Sequence, residues 1–123
     1  MSVNRQHIGS IGEAEARRRL VLGGYTILAA NWRNRQGELD LVARSGERII
    51  FVEVRSRSAA SRGRFGTAEE SVDPRKQRQV RLLAQRYLQL TNRFDVPIRF
   101  DVIAITINDD DTIADYKHYE AAF

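Results

Sequence analysis

A chain of 123 residues, 42% hydrophobic and 29% charged, suits one folded soluble domain and is too short for two. It has no cysteine, which excludes disulfides and thiolate metal sites. No apolar run approaches a membrane span or a signal-peptide core, so no membrane partner is expected and a cytoplasmic location is. The formal charge of +4 and the pI near 10.0 suit a polyanionic partner. His7 and His118 are isolated, so a bound metal would be held by oxygen, as magnesium and manganese are.

Residues Ile8 to Leu22 have helical periodicity, with Ile8, Ile11, Ala16 and Leu20 on one stripe and Gly23-Gly24 as the stop. Glu13 shares that stripe. Spacing alone favours an edge position paired with Arg17, four residues on; the alternative projects its carboxylate toward the strands that follow. Tyr25 to Arg33 reads as the first of these.

Gly37 to Arg57 then alternates in polarity with a period of two on either side of a turn at Arg44-Ser45-Gly46-Glu47-Arg48, which predicts two half-buried strands. With Gly46 first in a two-residue type II′ turn, Ser45 faces Arg48. That register sets Asp40 opposite Glu53 and Glu38 opposite Arg55. It also lays Leu39, Leu41 and Ala43 against Ile50, Val52 and Val54. Side chains directly opposite each other lie about 4.5–5.5 Å apart at Cβ. Two carboxylates at that distance repel unless a proton or a cation separates them. A solvated charge ladder would alternate in sign, and Asp40 facing Glu53 does not. The pattern therefore favours a functional carboxylate pair.

Ser58 to Ser71 is rich in Ser, Gly and Arg without periodicity, and reads as a mobile loop carrying Arg62 and Arg64. Asp73-Pro74 supplies an N-cap and a first helical residue. The helix runs to about Leu90, with Val80, Leu83, Ala84, Tyr87 and Leu88 inward and Arg75, Lys76, Arg78 and Arg86 largely outward. Pro97 to Thr106 is a further strand, Asn108 to Asp111 a solvated hairpin tip, and Ile113 to Phe123 a last strand. Between Arg55 and Arg86 nine basic residues stand against three acids. Arg57, Arg62, Arg64, Arg75, Lys76 and Arg78 are the expected phosphate contacts. Eighteen arginines against two lysines also mark a compositional bias. The order α-β-β-β-α-β-β describes one α/β domain over residues 1–123, a five-stranded mixed sheet flanked by helices.

Helix, three-strand meander, helix and strand, with Asp on the second strand and Glu-x-Arg on the third, resembles the restriction-endonuclease-like fold and its Asp…Glu-x-Lys nucleases. A closer resemblance is to the YraN-like family of small bacterial proteins, predicted endonucleases related to archaeal Holliday junction resolvases. It is carried by Gly12-Glu13 with Ala16 and Leu20; Gly24-Tyr25 with Ile27-Leu28; Asn31-Trp32-Arg33; Gly37-Glu38-Leu39-Asp40-Leu41; Phe51-Val52-Glu53-Val54; Val72-Asp73-Pro74-Arg75-Lys76; and Arg99-Phe100-Asp101-Val102. The resemblance implies a magnesium- or manganese-dependent DNA endonuclease, with branched DNA such as Holliday junctions as a substrate class and a homodimer as its assembly. It makes Asp40, Glu53 and the Val54 carbonyl the metal ligands. Glu13 matches the resolvases' helix glutamate, and Glu38 is implied for a second metal or a water. Arg55 replaces the motif's lysine, and a guanidinium stays protonated where an ammonium can shift. A nucleic-acid-binding module that keeps the nuclease fold is therefore the alternative. Lys76 is the other nearby residue able to serve lysine chemistry.

Overall fold

The computed structural model describes residues 5–61 and 72–123. Arg62 and Arg64 lie outside the described residues, as does most of the expected loop. The elements follow the expected order: α1 (Arg5–Leu22), β1 (Thr26–Asn34), β2 (Gly37–Ser45), β3 (Arg48–Ser58), a 3-10 turn (Ala59–Ser61), α2 (Pro74–Leu90), β4 (Ile98–Ile107) and β5 (Ile113–Tyr119). The strands form one sheet in the order β1-β2-β3-β4-β5, with β3 and β4 parallel and the other neighbours antiparallel. The parallel pair follows from the α2 crossover, since two parallel strands cannot be joined by a tight turn.

Ser45 pairs with Arg48, and Gly46 (φ +61°) has the turn's only positive φ, as a type II′ turn requires. The two strands are not half-buried, however. Apolar clusters cover both sheet faces: α1 packs on Leu41, Ile50, Val52, Ile103 and Ile105, and α2 on Leu39, Val42, Ile49, Phe51 and Phe100. Hence β3 is buried from Ile49 to Glu53. A central strand beside a parallel neighbour needs that continuous run, and the polar positions that suggested alternation are exceptions to it.

The predicted apolar row of Leu39, Leu41 and Ala43 is broken. Leu39 shares the α2 cluster with Val42, three residues on, while Leu41 packs on the α1 side. Strict alternation would put Leu39 and Val42 on opposite faces, so β2 changes face at Asp40. Asn31, beside Asp40 in the β1–β2 register, has φ +53°, a conformation asparagine tolerates better than most residues.

Along α1, Ile8, Gly12, Ala16 and Leu20 repeat every fourth residue and form its buried face. The two small residues bring the helix close to β3: a Cβ on Gly12 would fall 1.8 Å from Ser56 Oγ. In α2, Asp73 caps the helix by accepting Lys76 N–H at 2.9 Å, and Val80, Leu83, Ala84 and Tyr87 are buried as expected. Lys76 departs from the expectation, since its side chain turns in toward Glu53 instead of outward.

The Arg99-Phe100-Asp101 motif has a structural role. Asp101, fully buried, receives Arg99 through two bonds of 2.8 Å, His118 at 2.7 Å and Ala121 N–H at 3.0 Å. Burial alone would raise the Asp101 pKa; the bonds from His118, Arg99 and the Ala121 backbone outweigh it and hold the carboxyl below its ordinary value. Arg99 also donates to Tyr25 Oη at 2.9 Å, so the cluster ties β4, the start of β1 and the end of β5 together. Asp101→Ala would take from the half-buried Arg99 its buried carboxylate and leave it the exposed Glu120 at 3.3 Å. The expected loss is about 3–5 kcal/mol, read by urea unfolding. A change within error would mean that solvent replaces the carboxylate at no cost.

Candidate active site

Where β2 and β3 part, three carboxylates from two elements converge on a cleft of about 710 Å³. Glu13 of α1, Asp40 and Glu38 of β2, and Asn31 of β1 form its acidic half; Arg5, Arg55 and Arg57 form its basic half, with Ser56 between. The β2–β3 ladder ends at Leu41↔Val52, one step short of Asp40 and Glu53. There Asp40 Oδ2 accepts the Val54 N–H at 2.9 Å, so a side chain takes the place of the next backbone partner.

Glu53 is 2% exposed and does not line the cleft. With Ile49 and Phe51 it points to the α2 side of β3, where its Oε1 lies 3.7 Å from Lys76 Nζ. Its carboxyl is pushed up to about 9 by burial first, then by the hydrogen bond and the charge of Asp40; Lys76 and Arg55 oppose the shift. A protonated Glu53 carries no charge, which relieves the repulsion expected from its register with Asp40. Among the described residues, Glu53 Oε1 is one of three buried side-chain polar atoms with no hydrogen-bond partner, and Arg55 Nε is another. Buried polar atoms are nearly always satisfied, so an orphaned carboxylate oxygen beside a second carboxylate calls for a ligand.

A divalent cation that prefers oxygen fits this gap, since it would neutralise the facing carboxylates and satisfy Oε1. Among the described residues no three Asp, Glu, His or Cys side chains gather closely enough to hold an ion alone. The fit is to an ion that keeps several waters and takes one or two carboxylates, as magnesium does.

Glu13 does not pair with Arg17 as its spacing favoured. It reaches across to β1, where Asn31 Nδ2 donates to its Oε1 at 2.8 Å, and Glu15 takes the arginines, Arg18 and Arg19. Desolvation raises the Glu13 pKa, the Asn31 bond lowers it, and Asp40 raises it again; the net shift is upward. Glu38 was expected opposite Arg55, but the ladder ends before that pair, and its partner is Arg33 on β1, Nε to Oε2 at 2.9 Å. Of the expected phosphate contacts, Arg57 lines the cleft, Arg75 and Arg78 are exposed on α2, and Lys76 is half-buried against Glu53. Sequence reading missed Arg5 and Asn31. An asparagine in the middle of a predicted strand, a residue type depleted there, was the available signal for Asn31.

A five-stranded mixed sheet between helices, with carboxylates clustered where two strands part, has the α/β architecture that the restriction-endonuclease-like resemblance implied. The chain belongs to the uncharacterised protein family UPF0102, the YraN-like family, which it matches over residues 12–105. It is 42% identical to the UPF0102 protein of Moorella thermoacetica over 123 residues, the whole of both chains. It is 40% identical to that of Desulforamulus reducens over 124 residues, 99% of each chain, and 44% identical to that of Frankia alni over 99 residues, 80% of each. The matched span contains Glu13, Glu38, Asp40, Glu53, Arg55 and Lys76. Among the described residues no helix is long and apolar enough to cross a membrane.

Proposed function

We propose that this chain is a divalent-cation-dependent phosphodiester hydrolase acting on DNA. The observation that carries the reading is Glu53, a buried carboxyl beside the half-buried Asp40, whose Oε1 is left without a hydrogen-bond partner. Asp40 and Glu53, completed by the Val54 carbonyl and water, would hold Mg²⁺ or Mn²⁺, which supplies charge neutralisation at phosphoryl oxygens and activation of water. Around them the chain's own groups divide the work. The basic half of the cleft, Arg5, Arg55 and Arg57, holds the phosphates that flank the scissile one. Glu13, fixed by Asn31 and raised by desolvation, is placed to accept a proton from attacking water. Asp40 is held in one rotamer by the Val54 N–H, so the site needs little rearrangement as it loads.

A binding module with the same fold is favoured by one observation, the guanidinium of Arg55 at the motif's lysine position. Cleavage assays over duplex, single-stranded and four-way-junction DNA, with magnesium, manganese or chelator, separate the two. Hydrolysis with either metal and none with chelator supports the enzyme. Salt-sensitive binding of the same DNA without cleavage under any condition supports the module.

A further inference from the structure

We propose that Lys76 supplies the ammonium group of this site from helix α2, in place of the lysine that Arg55 replaces on β3; the proposal rests on the hydrolytic reading. Glu53 and Arg55 are two residues apart, a spacing that starts both side chains from the same side of a regular strand, although Arg55 also lines the cleft that Glu53 does not. A lysine at position 55 would therefore approach the Glu53 carboxylate from that side. Lys76 Nζ already lies there, 3.7 Å from Oε1.

The two cations present differ in what they can do. Arg55 is half-buried with its Nε unpartnered, and its planar fork cannot follow a reacting phosphoryl group as a compact charge on a flexible stem can. Lys76 is not among the residues that line the cleft, but it is 30% exposed, so its ammonium reaches both the buried carboxylate and solvent. At 3.7 Å it contacts Oε1 without a hydrogen bond, which leaves that oxygen open to a cation and the ammonium open to a substrate oxygen.

Its position on the helix is also costly. Pro74, Arg75, Lys76 and Gln77 make up the first turn of α2, which contains no acid, and a helix dipole disfavours cations there. Asp73 offsets part of that through the N-cap, but its side chain bonds the Lys76 backbone and leaves the ammonium free to serve Glu53. A solvated phosphate-binding lysine would gain nothing from turning inward from this turn. Contact with Glu53 gives it a reason.

Two measurements on the full chain test this. The first is cleavage of plasmid and junction DNA by wild type, Lys76→Gln and the double variant Arg55→Lys/Lys76→Gln, with thermal melts to verify folding. Lys76→Gln should lose on the order of 10²-fold or more in kcat with KM nearly unchanged, the scale of removing one transition-state donor. Moving the lysine to position 55 should restore at least about a tenth of the lost rate, as a misplaced but competent group would. The second needs no activity. The chain has only two lysines, Lys76 and Lys117, so reductive ¹³C-methylation yields two side-chain resonances to follow. The Lys76 signal should move in Glu53→Gln while Lys117, out on β5, stays in place.

Wild-type cleavage with Lys76→Gln unimpaired, or impaired without rescue by position 55, overturns the assignment and leaves the enzyme reading standing. A Lys76 resonance indifferent to Glu53→Gln overturns it too. A wild type that cleaves no DNA in either metal instead removes the hydrolytic reading itself, and the role of Lys76 with it.

Discussion

Glu53→Gln is expected to abolish divalent-cation binding while making the metal-free protein more stable at alkaline pH. Both effects come from one buried carboxyl. Between the ordinary glutamate range and about 9, folded Glu53 keeps a proton that the unfolded chain has released. The folded state thus binds more protons, and stability falls as pH rises through that window. An amide removes the titration, so the variant should show a flatter profile and gain about 1–3 kcal/mol over wild type near pH 9, the cost of burying a poorly compensated polar group. Manganese should reverse the order. At a concentration 100 times its Kd a ligand stabilises by about 2.7 kcal/mol, and only wild type should show the corresponding rise in melting temperature. The rise should grow with pH, because the cation competes with the proton on Glu53. Urea unfolding at several pH values, with and without manganese, reads all of this. A variant that keeps the manganese effect would move the metal away from Glu53, and one destabilised at every pH would make the pair structural.

What the sequence made legible was local. The turn residues Ser45-Gly46-Glu47-Arg48 dictate a two-residue hairpin, and its register follows for as long as the ladder lasts. Asp73-Pro74 dictates a helix start, and the apolar spacing beyond it names the buried face of α2. The errors lie where a tertiary feature takes over. Beyond Leu41↔Val52 the hairpin no longer sets neighbours: a bulge between Ile27 and Ala29 shifts β1 against β2, and Arg33 rather than Arg55 faces Glu38. The face change at Asp40 accompanies the positive φ of Asn31, a residue nine positions away in sequence. Lys76 looks outward on a helical wheel because a wheel has no knowledge of the buried carboxylate at Glu53. Glu13 looks paired to Arg17 because spacing does not report the amide of Asn31 across the gap. Each error involves a group whose partner lies on another element. Several of these groups, Glu13, Asn31, Glu38 and Asp40, line the cleft, and a site is where a sequence sacrifices local consistency.

The close approach of α1 to β3 leads to the second large effect. Gly12 sits in mid-helix, where alanine would ordinarily add about 1 kcal/mol through propensity. Here the added Cβ would lie 1.8 Å from Ser56 Oγ and 2.9 Å from Ser56 Cβ. The hydroxyl can rotate away, but the Cβ is fixed to the central strand, so the helix itself must move. Overpacking of this kind costs about 1–3 kcal/mol, and Gly12→Ala should come out destabilised despite the better helix former. Glu13 is the next residue, and its 2.8 Å bond from Asn31 spans the gap that the displaced helix would widen. Cleavage should therefore fall further than stability does, on the order of 10²-fold for a displacement approaching 1 Å. Ser56→Gly removes both clashing atoms and leaves every proposed ligand in place. Added to Gly12→Ala, it should restore cleavage while recovering only part of the stability, because glycine weakens a strand interior. Wild-type cleavage in Gly12→Ala would show that the helix need not approach this closely for Glu13 to act. Cleavage that stays low in the double variant would assign the loss to the helix's own backbone and clear Ser56.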